Sequence, residues 1–371
     1  MLPGRKQPPY SPATPWCFRR AAPTQGRRTG RRTAQKWPAL TAPLDVDASA
    51  ASATPEAVLV GVGRASIEGR SLGRIAWSRL KRDKVAIAGA VVVVLLVVVA
   101  LLAPFIVGLF GHPPNEFHQE LIDPSLQVPR TPRGGMSTDF LLGLEPVNGR
   151  DLFSRIVYGS RISLLVAFLA TVLSVVIGVV LGVTAGYFGG WVDTVISRTM
   201  DTFLAFPLLL FAIALAGVVP DQAFGVQGDV LRLGLLIFII GFFNWPYIGR
   251  IIRGQTLSLR ERAFVDAART LGARPPYIIV RELLPNLAAP ILVYSTLLIP
   301  TNILFEAALS FLGVGIRPPT ATWGGMLSDA VHFYTIAPYF MIIPGLAIFV
   351  TVLSFNLLGD GLRDALDPRA R

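Results

Sequence analysis

The sequence predicts an all-α integral membrane protein with six transmembrane helices, and three observations carry that prediction. The chain has 371 residues, 52% hydrophobic and 15% charged, with a mean hydropathy of +0.56, whereas soluble domains carry about 25% charged residues. The apolar residues gather in blocks free of every charge, so their solvent is lipid instead of one large buried core. The 34 Lys and Arg against 23 Asp and Glu fall mostly between those blocks, which explains the net charge by topology and not by a nucleic-acid partner.

Residues 1–70 are rich in Pro, Arg, Ala, Thr and Ser without helical or strand periodicity, a composition that cannot offset its own ordering entropy, so they are expected to form a disordered basic cytoplasmic tail. The Arg31-Arg32 pair lacks the following apolar stretch that a twin-arginine signal requires. Cys17 has no internal partner, and His112, His118 and His332 are widely separated without ligand spacing, so no metal site is expected.

The first charge-free block, Val85 to Phe110, is 26 residues long, enough to cross a bilayer that needs about 20. Arg79, Lys81, Arg82 and Lys84 anchor its start on the cytoplasmic side. Five further blocks run from Ile162 to Val192, Thr202 to Pro220, Leu233 to Gly249, Leu283 to Phe305 and Ala330 to Gly359. With the amino terminus inside, six crossings bring the carboxyl terminus back inside. That arrangement places 27 Lys and Arg on the cytoplasmic side and 7 outside, as the positive-inside rule requires.

Gly178, Gly182 and Gly186 recur every fourth residue, aligning three positions without side chains on one helix face and predicting close approach of another backbone. Packing within the chain is favoured over a subunit interface. The stretch from Arg250 to Leu284 holds Arg250, Arg253, Arg260, Arg262, Arg269, Arg274 and Arg281 against Glu261, Asp266 and Glu282, too many charges for lipid. Within it Phe264, Ala267, Ala268 and Leu271 follow i, i+3, i+4, i+7, the pattern of a short amphipathic helix capped by Gly272 and stopped by Pro275-Pro276. A helix this short is marginal in water and needs a surface for its apolar stripe. Small Ala267 and Ala268 favour a protein surface over the membrane.

Here the chain resembles a known family. Asp266-Ala267-Ala268, Gly272 and Leu284-Pro285 have the spacing of the Glu-Ala-Ala-x3-Gly-x11-Leu-Pro loop of binding-protein-dependent ABC importer permeases, with Asp266 standing for the usual Glu. The stretches Gly149-Arg150-Asp151, Tyr158-Gly159, Arg161-Ile162-Ser163-Leu164, Ala185-Gly186-Tyr187-Phe188-Gly189-Gly190 and Glu306-Ala307-Ala308-Leu309-Ser310-Phe311-Leu312-Gly313 resemble the dipeptide, oligopeptide and nickel class of these permeases. So does Phe355-Asn356-Leu357-Leu358-Gly359-Asp360-Gly361-Leu362-Arg363-Asp364-Ala365-Leu366-Asp367-Pro368. Leu144-Glu145-Pro146-Val147-Asn148 departs from the class pattern.

The resemblance implies a type I importer permease fold. Residues 71–125 would be an N-terminal permease segment with the first span, 126–158 an extracytoplasmic linker, 159–360 the permease domain and 361–371 a cytoplasmic tail. The loop of Phe264, Asp266, Ala267, Ala268, Leu271 and Gly272 would dock on an ATPase subunit, with Leu284-Pro285 marking its return to the fifth span. The implied partners are a homologous permease, two ABC ATPase subunits, an extracytoplasmic substrate-binding protein and a peptide substrate, with ATP and Mg bound by the ATPases. Nickel or another small solute is the alternative cargo.

No phosphate loop exists, since Lys6, Lys36, Lys81 and Lys84 never follow a glycine, so this chain is expected to be a transport subunit, not an enzyme, and to hold no cofactor. An ion-coupled secondary transporter would predict mid-membrane acids and an inverted repeat, neither of which is clear here. Glu306, at the outer end of the fifth span, admits a structural reading, capping the turn at 310–313 or pairing with Arg317, and a functional one, contact with a cationic peptide terminus or metal. Trp323, Tyr334 and Tyr339 are expected at the outer interface or gate.

Overall fold

The computed structural model describes residues 77–218, 222–223 and 226–366. The expected tail over 1–70, with Cys17 and Arg31-Arg32, lies outside the described residues, as do residues 367–371.

Helix α1, Lys84–Leu101, starts where the Asp83 carboxylate accepts from the Val85 and Ala86 amides at 2.9 and 3.1 Å, satisfying donors that a helix start leaves open. The first apolar block does not continue as one helix. Leu102 leaves helical geometry and α2, Ala103–Phe110, restarts with a proline in its first turn, where the missing N–H costs nothing.

Residues 111–151 form an ordered structure of short 3-10 turns and bridges, Ile122 to Pro129 and Leu144 to Asp151, where the sequence suggested only a linker. Asp151 then caps α3, Leu152–Phe188, accepting from the Phe153 amide at 3.1 Å and the Ser154 hydroxyl at 2.6 Å. This helix begins ten residues before the expected span. Its 37 residues rise about 56 Å, well beyond a hydrocarbon core of about 30 Å, so it projects from the membrane.

The third expected span, Thr202 to Pro220, is corrected. Helix α4, Gly190–Ala205, and α5, Leu208–Val218, are bent by 78° at Phe206-Pro207. Phe206 is extended, as the steric demand of a following proline favours. A cavity of about 280 Å³ lies at the elbow, lined by Phe203, Phe206, Pro207, Asn244, Tyr247 and Phe305 among others.

A two-residue hairpin, β1 (Gln222–Ala223) with β2 (Val226–Gln227), leads to α6, Gly228–Leu259, which carries Pro246 internally. The loop helix α7, Ala263–Thr270, follows. A π-helical turn, Ile278–Leu283, then enters α8, Leu284–Phe311, which continues through Pro290 and Pro300. Short α9, Trp323–Ala330, precedes α10, Pro338–Leu366, so helix extends into the stretch expected as a tail from 361. Among the described residues five helical stretches are long and apolar enough to cross a bilayer, six if bent α4 and α5 form one span. The protein is a multi-spanning all-α membrane protein.

Candidate functional site

The glycine line is the structural axis of the bundle. Added β-carbons on Gly182 and Gly186 would stand 2.6 Å from the Gly249 carbonyl oxygen and 2.6 Å from the Thr256 β-carbon of α6, and one on Gly178 would stand 2.8 Å from the Trp245 carbonyl oxygen. The three glycines thus let α3 and α6 of the same chain touch backbone to backbone. Alongside runs a buried polar chain that the sequence did not announce. Asn244 on α6 donates to Asn302 on α8 at 2.8 Å, Asn302 donates to Thr171 on α3 at 2.8 Å, and Thr171 donates to the Ala167 carbonyl at 2.7 Å. Asn244 and Asn302, isolated inside charge-free blocks, were the available signal.

α6 outruns its apolar block by ten residues, carrying Arg250 and Arg253 to α4. Arg250 pairs with Asp201 at 2.6 Å, and Arg253 forks onto Asp193, with Nη2 2.7 Å from Oδ2. Just after α6, Arg260 donates to the Gly186 and Tyr187 carbonyls at 3.1 and 3.5 Å, satisfying acceptors that the end of α3 leaves open. Three of the seven loop arginines therefore brace the helix ends on which the loop rests.

The loop helix is held at one edge and stopped at its end. Val265 is fully buried against a cluster containing Val183, Ile248, Ile252 and Leu287, with Ala268 partly buried beside it. Burying such a side chain contributes about 1.5–3 kcal/mol. Arg269 lies over the Tyr187 ring at 5.6 Å. At the other end, Gly272 has φ +82, its amide reaches the Arg269 carbonyl at 2.9 Å, and the Ala273 amide reaches the Ala268 carbonyl at 3.0 Å, the paired bonds of a Schellman stop.

The predicted stripe is divided. Val265, which the spacing pattern passed over, and Ala268 face the bundle. Phe264, Asp266, Ala267 and Leu271 remain exposed, Leu271 at 87%. Before the return to α8, the Leu284 amide bonds back five residues to Ile279, a wider turn placed directly ahead of Pro285, whose ring would crowd an ordinary turn.

The outer-face expectations change most. Glu306 is fully buried and accepts from the Ser310 hydroxyl at 2.8 Å. Its other oxygen has no hydrogen-bond partner among the described residues, so it neither caps the 310–313 turn nor pairs with Arg317, which lies exposed on the following loop. Trp323 is no interfacial anchor or surface gate. It is 1% exposed, its indole donating to the Ile156 carbonyl at 3.0 Å and its edge lying against Gly159. Tyr339 donates to the Leu144 carbonyl at 2.8 Å, whereas Tyr334 is exposed.

The divergent segment 144–148 supplies the hub of this face. Glu145, 2% exposed, accepts two bonds from Arg150 at 2.5 and 2.8 Å and lies 3.3 Å from Arg155. Losing one partner of such a buried group typically costs about 3–5 kcal/mol. Nearby Asp329 has its carboxyl pushed above the ordinary range by burial and then by Glu145, against the pull of Arg155, Arg150 and His332. His112 and His118, expected apart, meet in edge contact at 5.3 Å beside Phe140. Among the described residues no group of three or more His, Cys, Asp or Glu could hold a metal.

Known proteins resemble this chain over most of its length. Residues 178–371 match the family described as binding-protein-dependent transport system inner membrane component, and residues 71–129 match the N-terminal TM domain of oligopeptide transport permease C. The dipeptide transport system permease protein DppC of Alkalihalophilus pseudofirmus is 40% identical over 298 residues, covering 80% of this chain and 90% of that protein. The glutathione transport system permease protein GsiD of Escherichia coli O6:K15:H31 is 39% identical over 295 residues, with the same coverage of 80% and 90%. Among solved structures, an inward-facing MetNI methionine ABC transporter is similar at 18% identity and TM-score 0.47, covering 58% of this chain and 98% of that one. With more than half its length matched by one family, and a relative 40% identical over 80% of this chain and 90% of its own length, the chain belongs to the binding-protein-dependent transport system inner membrane components.

Proposed function

We propose that this chain is the permease subunit of an ATP-driven importer of small peptides. It pairs with a homologous permease, two ABC ATPase subunits and an extracytoplasmic substrate-binding protein, and ATP and Mg are bound by the ATPases. The termini and α7 face the cytoplasm, the orientation that the Lys and Arg distribution favours. Two relatives are named for dipeptide and for glutathione transport, both short peptides, which supports a peptide cargo over nickel.

One observation carries the coupling role: α7 is pinned through Val265 and stopped at Gly272, yet presents Phe264, Ala267 and Leu271 outward. An apolar edge on a fixed, short helix in an aqueous loop suits a groove on another protein. Because the same helix touches the ends of α3 and α6 through Tyr187 and Ile252, a push on it reaches the glycine-packed pair directly. Alternating access then follows from two packings of the bundle biased by the ATPases.

The test is ATP-driven dipeptide uptake, with nickel uptake measured in parallel, into vesicles holding the assembled transporter. Leu271→Asp and Ala267→Arg, both at exposed positions, are expected to lower dipeptide uptake at least about tenfold, the loss of a well-packed interface contact, with permease abundance unchanged. Uptake at the normal rate in both variants refutes the coupling role, and nickel uptake without dipeptide uptake refutes the cargo.

A further inference from the structure

A groove of about 980 Å³ opens between α1, α3, α8 and α10. Its walls are apolar, with Val97, Leu101, Leu165 and Phe168 among the lining side chains, each between 42% and 70% exposed. Its polar end is formed by Tyr158 and Arg161, one turn apart on α3, together with Asn115 and Thr320. The Arg161 guanidinium lies 5.9 Å from the Tyr158 ring and makes no hydrogen bond or ion pair with any described residue. At the same end Asp229 accepts from the Thr320 hydroxyl and forms no ion pair with Arg161, whose guanidinium therefore has no carboxylate of the described residues seated on it.

From Arg161 to Phe168 the helix rises about 10 Å, and one leaflet of the hydrocarbon core is about 15 Å deep. The groove therefore runs from a polar boundary toward the bilayer centre, with an unneutralised cation at the boundary. A cation placed where headgroups lie, above an apolar slot one leaflet deep, matches an anionic phosphate attached to an acyl chain. A zwitterionic lipid would offer the same phosphate but would bring its own cation beside Arg161, leaving the net charge at that end uncancelled.

We propose that this groove is a binding site for one anionic phospholipid, its acyl chain along Val97 and Leu165 and its headgroup phosphate on Arg161. The inference needs only the membrane fold and does not depend on the cargo or on the coupling role of α7.

Native mass spectrometry of the full-length chain, released from micelles containing equal phosphatidylglycerol and phosphatidylcholine of the same chain length, tests it. The expected result is one retained lipid with about a tenfold preference for phosphatidylglycerol, because the choline cation of phosphatidylcholine would be held close to the Arg161 guanidinium. Arg161→Gln should bring the preference near parity, Arg161→Lys should keep part of it, and Val97→Trp with Leu165→Trp, both at exposed positions, should reduce retention of either lipid. Millimolar inorganic phosphate should not displace the lipid; displacement would mean a bare anion site and overturn the proposal. Equal retention of the two lipids, or a preference unchanged in Arg161→Gln, overturns it as well. Loss of the lipid when a second permease subunit is bound would assign the groove to a subunit contact and would likewise overturn the lipid site.

Discussion

Replacing Gly182 by Ala sets two opposed effects against each other, and the geometry decides between them. Alanine favours a helix interior over glycine by about 1 kcal/mol. The new methyl, however, would sit 2.6 Å from the Gly249 carbonyl oxygen and 3.2 Å from the Arg253 nitrogen, both backbone atoms, where ordinary contact begins near 3.4 Å. Neither can rotate away, so α3 and α6 must separate by about 0.8 Å, and the separation is shared by Gly178 and Gly186 on the same face.

Overpacking of this kind costs about 1–3 kcal/mol, to which lost contact along the whole helix pair is added. The net expectation is destabilisation by about 1–2 kcal/mol, a few degrees in midpoint for a chain of this size. Gly108 in α2 is the control, since a β-carbon there meets nothing within 4 Å, and Gly108→Ala should be neutral or slightly stabilising. Thermal unfolding of the full chain in detergent, at one scan rate, compares the two. A Gly182→Ala protein that melts at or above the parent temperature refutes the close-packing argument.

Asn302→Leu should destabilise by about 1–3 kcal/mol, because it strands the Asn244 amide in the bundle interior; the same melting measurement checks it, and adding Asn244→Leu should recover part of the loss. Gly272→Ala forces a β-carbon into the left-handed conformation at φ +82, costing about 1 kcal/mol locally, and should raise amide exchange across 263–270 while leaving the overall melting temperature nearly unchanged. The raised Asp329 carboxyl fixes a pH dependence: the fold disfavours its charged form, so stability from this group is full below the ordinary carboxylate range and declines as pH rises through the interval up to the raised value. Asp329→Asn should therefore melt like the parent near pH 4 and above it near pH 7. A constant difference across that range would contradict the assignment.

The spans were legible because charge-free runs of twenty or more residues have one physical solution in a bilayer. The loop helix was legible because Gly272 and Pro275-Pro276 end it by backbone chemistry alone. Its orientation was not, since Phe264, Val265, Ala268 and Leu271 form two apolar edges, and only packing against Ile248 and Leu287 selects the Val265 edge. The elbow at Phe206-Pro207 hid inside an apolar run because hydropathy is blind to direction. The burial of Glu306 and Trp323 was not legible, for a related reason. Sequence locates a residue along the membrane normal but not around the helix, and both side chains turn inward. Glu145, Arg150 and Arg155 come together only when residues 111–151 fold back over the bundle.

The elbow after α4 also makes the bundle lopsided. α5 has 11 residues, about 16 Å of rise, roughly half of what a full crossing needs, and peptide groups loosened at a bend have nothing to bond with in oil. Leu210 and Val218 nevertheless point outward, 66% and 80% exposed. Fatty chains can coat α1, whose helix is unbroken from Lys84 to Leu101, but this flank is unfinished as a lipid surface. Such a flank suits cover by another polypeptide or water from within better than lipid alone, so a lone copy of the chain would carry a raw seam along one side.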